Sequence, residues 1–104
     1  MGEKVFIFKT EEIKNILISR IRELYPYYND IDAFVAVYNK NEYRDIEYDK
    51  VRLAVNNDFL GYIENRETYL YAKGIRLGVG YIKENAKSLE EAVEFLIKGY
   101  FRLK

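Results

Sequence analysis

A chain of 104 residues with 17 Lys and Arg against 17 Asp and Glu suits one domain over 1–104, with no net field to draw in a nucleic acid or a membrane surface. Cys and His are both absent, which removes disulfide frameworks, thiolate and imidazole metal ligands, and the usual nucleophile–base pairs; Trp is absent too. No stretch is long and apolar enough to span a bilayer, and Glu3 and Lys4 interrupt any leader, so the expectation is a cytoplasmic, non-enzymatic protein with no cofactor.

Residues 5–8 form a short apolar run predicted as a strand. Thr10 offers an N-cap, and Glu11 and Glu12 follow where the helix dipole favours negative charge. Ile13, Ile16, Leu17, Ile21 and Leu24 then fall at helical spacing, and Pro26 stops the helix near Tyr25 because the residue before proline avoids the helical region. Residues 33–38 are apolar on both alternating sets and read as a buried strand. Along 46–55 the alternation is clearer: Val51, Leu53 and Val55 face inward, and Lys50 and Arg52 face out. Asn56-Asn57-Asp58 signals a turn before a third strand at 59–63.

Residues 68–72 and 75–82 are predicted as a hairpin around Lys73-Gly74. That register pairs Ala72 with Ile75, Leu70 with Leu77 and Thr68 with Val79 on an apolar face. It pairs Tyr71 with Arg76 and Tyr69 with Gly78 on the other. Ser88-Leu89-Glu90-Glu91 is a capping box ahead of a stripe of Leu89, Ala92, Val93 and Leu96, and Gly99 is the expected stop. Residues 100–103 either add an edge strand or fray. The fold class is α+β: a largely antiparallel sheet of about five or six short strands with two helices (about 10–25 and 88–98).

Three constellations carry chemistry. Asp45, Glu47 and Asp49 would share one face of a strand and offer oxygen ligands to a divalent cation; the competing reading is a solvated strand face. Gly74, Gly78 and Gly80 lack the Lys-Ser or Lys-Thr that a phosphate loop needs, so they read as turn and close-packing glycines. On the outer hairpin face Tyr69, Tyr71 and Arg76 should converge, with Tyr62 beside them and Lys73 nearby, the residue types that anchor partners and stack on bases. Ser19 and Ser88 have no histidine partner for nucleophilic work.

The segment 59–98 resembles the small DNA-binding domains of the AP2 and phage-integrase amino-terminal type. The matching residues are Lys73-Gly74-Ile75-Arg76-Leu77-Gly78 and Ser88-Leu89-Glu90-Glu91-Ala92. The resemblance implies three antiparallel strands followed by a helix, a strand face that reads the major groove, and Tyr69, Tyr71, Lys73 and Arg76 facing DNA.

The expected function is a binding module acting through contacts with a protein partner or a second copy in a homodimer, with no membrane role. The alternative is a nucleic-acid-binding protein using the outer face of the 68–82 hairpin. Absent Gln, a single Met and abundant Glu, Lys, Ile and Tyr point to a thermophilic archaeon or its virus as the source.

Overall fold

A computed structural model describes residues 7–102. Helix α1 spans Thr10–Leu24, and strands β1 (Ala33–Tyr38), β2 (Lys50–Val55), β3 (Asp58–Asn65), β4 (Leu70–Arg76) and β5 (Val79–Ala86) follow before helix α2 (Leu89–Arg102). The strands form one antiparallel meander in the order β1-β2-β3-β4-β5. The expected α+β architecture is therefore present, with five strands among the described residues. Residues 5 and 6 of the predicted first strand lie outside the described residues, and residues 7–9 form no regular element. Neither helix is long and apolar enough to cross a membrane.

Both helices pack on one face. From α1, Ile13, Leu17 and Ile21 are fully buried; from α2, Ala92, Val93, Leu96, Ile97 and Tyr100 join them. The sheet answers with Val35, Val51, Leu53, Val55, Leu60, Ile63, Leu70 and Ala72. Period-two alternation thus turns one side of every strand from β1 to β4 into core. Lys9, not Thr10, is the N-cap of α1, and it makes no side-chain cap bond. Half of the predicted capping box of α2 forms: Ser88 Oγ accepts from Glu91 N–H at 3.1 Å, while Glu91 Oε1 accepts from the N–H of Lys87, one residue before the cap, at 2.8 Å.

Two hairpins close with two-residue turns. Asn56-Asn57 (φ 50° and 70°) joins β2 to β3, and Leu77-Gly78 (φ 53° and 80°) joins β4 to β5. Paired positive φ values give the turn hand that matches strand twist. The β4–β5 turn therefore lies four residues beyond the predicted Lys73-Gly74. Gly74 instead sits inside β4 opposite Tyr81, and Arg76 pairs with Val79.

The reason is a slot. The Tyr81 ring crosses between Gly74 of β4 and Gly99 of α2, and a methyl carbon built on either glycine would overlap it. Its hydroxyl donates to the carbonyl of Leu96 at 3.2 Å. Gly99 consequently does not stop α2, which continues to Arg102, so residues 100–102 are helical and not an edge strand. A third glycine, Gly61 (φ +153°), sits on a bulge at Leu60-Gly61, where the partner of Ala54 is Phe59 and that of Leu53 is Gly61. A Cβ there would lie 2.8 Å from the Cα of Gly74 on the facing strand.

Candidate functional site

With both helices behind the sheet, the described elements leave its other face open. Alternation presents Lys50 and Arg52 from β2, Tyr62 and Glu64 from β3, and Tyr71, Lys73 and Ile75 from β4. Strand order places them in cross-strand rows. One row runs Ala36, Arg52, Tyr62, Lys73, Ile82, and the next runs Tyr38, Lys50, Glu64, Tyr71. Adjacent strands are about 4.8 Å apart, so Arg52 and Lys73 stand roughly 10 Å apart with Tyr62 between them.

The second row is an ion-pair knot. Arg66 Nη2 lies 2.6 Å from Glu64 Oε1, and Lys50 Nζ lies 3.7 Å from Glu64 Oε2. The guanidinium of Arg66 also covers the rings of Tyr48 and Tyr71, at 4.6 and 4.5 Å from their centroids. Lys50 lies 4.5 Å from the Tyr62 ring centroid, and the Tyr62 and Tyr71 rings stand 6.4 Å apart. Burial, and then the carboxylate of Glu64, push the Tyr62 hydroxyl above the ordinary phenol range. The hydrogen bonds that Arg66 donates to Glu64 likewise hold Arg66 more firmly protonated.

Arg52 and Lys73 differ from these neighbours. Neither forms an ion pair with a described residue; Arg52 only lies over Phe59, 5.1 Å from the ring centroid. Large apolar side chains surround them in solvent: Phe34 is 61% exposed, Ile75 45% and Ile82 51%. The loop 39–49 rises beside the face and closes a shallow recess of about 420 Å³. Tyr38, Tyr43, Asp45, Ile46, Phe59 and Tyr62 line it together with Lys50 and Arg52, so the loop brings one carboxylate of its own to the recess.

Of the five residues predicted to converge, the structure brings Tyr62, Tyr71 and Lys73 onto this face. Tyr69 lies just before β4 and lines a second depression with Arg66, Tyr71, Glu84 and Asn85. Arg76 is elsewhere. In one continuous strand, positions 71 and 76 have opposite parity, so Arg76 points to the helix side. There its guanidinium packs 4.5 Å from the Tyr100 ring centroid and 3.7 Å from Asp58 Oδ2. Tyr100 donates its hydroxyl to the same oxygen at 2.7 Å. Burial, then the bond to Asp58, raise the Tyr100 hydroxyl far above its usual range. This trio clamps α2 to the sheet.

The acidic triplet is not a strand face. β2 begins only at Lys50, and Asp45, Glu47 and Asp49 lie in the preceding loop, where Asp49 Oδ1 accepts from the Lys40 N–H at 2.9 Å. No group of three His, Cys, Asp or Glu among the described residues is placed to hold a metal ion. The residues that sequence reasoning left out of the site are Lys50, Arg52, Arg66, Phe34, Ile75 and Ile82. Alternation in β2 already turned Lys50 and Arg52 outward; the missing signal was the strand order that sets Arg52 beside Tyr62. Comparison of the chain with protein-family models, with curated proteins and with solved structures finds no match.

Proposed function

We propose that this chain is a non-enzymatic binding module whose open sheet face takes a protein partner presenting carboxylates beside apolar side chains. The observation that carries this is Arg52 and Lys73 flanking Tyr62, both free of acid partners among the described residues, on the face that exposes Phe34, Ile75 and Ile82. Aromatic and guanidinium groups next to exposed hydrocarbon are the composition of interface anchors. The recess between Tyr38 and Phe59 offers a place for one side chain of the partner to bury. Selection from a random peptide display library tests this. The peptides recovered should combine Asp or Glu with aromatic or aliphatic residues, and should lose at least ten-fold in affinity for Arg52→Glu and Lys73→Glu variants. Peptides that bind both variants unchanged, or no enrichment at all, would sink the proposal.

A second reading, nucleic-acid binding, draws on the Tyr62 and Tyr71 rings 6.4 Å apart beside Arg52 and Lys73, which have no acid partner among the described residues. The AP2-type resemblance implies this use of the strand face, although Arg76, which it would turn to DNA, packs against Asp58 and Tyr100. Two features favour protein. Glu64 neutralises Lys50 and Arg66, and Phe34, Ile75 and Ile82 offer nothing to phosphate. Labelled single-stranded and duplex oligonucleotides in a salt series separate the two readings. Binding that weakens steeply as salt rises supports nucleic acid, and no binding at low salt leaves protein.

A further inference from the structure

β5 is an edge strand of eight residues, and it lacks the usual guards against pairing. The chain's one proline, Pro26, is elsewhere. Lys83 is drawn to Glu91 of α2, 3.3 Å away, and so does not project from the edge. The one bulge in the β4–β5 ladder falls beyond Lys83 and leaves 79–83 regular. This stretch, its turn and the adjoining end of β4 also hold a concentration of exposed hydrocarbon: Ile75 45%, Leu77 73%, Val79 50% and Ile82 51%.

The direction of the free amides follows from the turn. A two-residue connection makes Arg76 and Val79 a hydrogen-bonded pair, so Val79, Tyr81 and Lys83 bond to β4. The N–H and C=O of Gly80 and Ile82 therefore point away from the sheet. We infer that this edge pairs antiparallel with β5 of a second copy, about a two-fold axis beside Ile82.

Charge and geometry select that register. A two-fold axis normal to the sheet keeps both helix layers on one side, and opposed residues must then face the same way. Centring on Lys83 sets Lys83 against itself, and centring on Glu84 sets Glu84 against itself; like charges directly opposed destabilise a ladder. Centring on Gly80 runs the ladder into the Leu77-Gly78 turn, and centring on Tyr81 leaves Ile82 facing Gly80. Centring on Ile82 places the two Ile82 side chains together on the open face. It sets Tyr81 against Lys83, and Glu84 against Gly80, which has no side chain to obstruct it. The result is a continuous ten-stranded sheet with four helices behind it. The seam is narrow, so assembly should depend on concentration.

The chain has no cysteine, so a single engineered one reports cleanly. Opposed residues of a hydrogen-bonded pair have Cα atoms about 5.5 Å apart, within reach of a disulfide. Ile82→Cys should cross-link to a dimer under mild oxidation at least ten-fold faster than Leu77→Cys, which is more exposed but lies on the turn. Sedimentation should show a mass rising with concentration from 12.4 kDa towards twice that value. Ile82→Lys should weaken the association at least ten-fold with little change in thermal midpoint. A mass fixed at 12.4 kDa at every concentration overturns the inference. So does equal cross-linking of the two cysteine variants, or a dimer that Ile82→Lys leaves intact. Arg52→Glu, two strands away from the edge strand's neighbour, should leave the mass unchanged, so this inference and the peptide-binding face can fail independently.

Discussion

Alanine normally stabilises a helix interior relative to glycine by about 1 kcal/mol. Gly99→Ala should do the reverse. A Cβ at that position would overlap the Tyr81 ring so deeply that even Cδ2, the third-nearest ring atom, would stand 2.7 Å away. The ring cannot retreat, because Gly74 closes the slot on its other side. Either α2 lifts from the sheet or the ring leaves. Overpacking of this kind costs about 1–3 kcal/mol, and losing the hydroxyl bond to Leu96 adds about 1 kcal/mol. Set against the propensity gain, the net loss is about 2 kcal/mol, or roughly 10 °C in thermal midpoint for a chain of this size. The decisive measurement repeats the substitution in a Tyr81→Ala background. With the ring gone, Gly99→Ala should stabilise by up to about 1 kcal/mol. Denaturant melts of the four proteins give the coupling directly. A wild-type Gly99→Ala that is neutral or more stable, or the same sign in both backgrounds, would refute the slot.

Three further perturbations bear on stability. Burial raises the hydroxyls of Tyr62, Tyr81 and Tyr100 above the ordinary value of 10.0, so the folded state holds these protons more tightly than the unfolded chain. Stability from this source is complete below about pH 10 and is lost as pH rises further; thermal midpoints should fall steeply there, and less steeply in Tyr100→Phe. Ser88→Ala removes the acceptor for Glu91 N–H and should cost about 1 kcal/mol, read as a lower midpoint in urea. Leu77 sits at φ 53° while 73% exposed, and Leu77→Asn should raise stability by about 1 kcal/mol, because asparagine tolerates the left-handed region; an unchanged or lower midpoint would count against strain at that turn.

Much of the architecture was legible in residue periodicity. The α1 stripe of Ile13, Leu17 and Ile21, the inward set Val51, Leu53 and Val55, and the Ser88 N-cap all occupy the places their spacing predicts. Two glycines were misleading for one shared reason. Gly74 looked like a turn and Gly99 like a helix stop, yet both are walls of the Tyr81 slot. That partner is distant in the chain, and no local pattern announces it. The actual turn uses Leu77, a residue whose side chain disfavours positive φ, so turn chemistry pointed away from it. The misplaced turn then carried Arg76 onto the wrong face. The candidate site was half legible: Tyr62, Tyr71 and Lys73 share the open face, whereas Arg52 joins them only through strand order.

The meander has a kinetic consequence. Each strand pairs with its neighbour in the chain, and three of the four connections are short. The ladder can therefore grow hairpin by hairpin with little loop-closure entropy at each step. The long-range event is the meeting of α1 and α2, which flank the whole meander and share one core. Docking of that helix pair should set the refolding rate. Truncating side chains at Leu17 or Leu96 would then slow folding, with little effect on the unfolding rate.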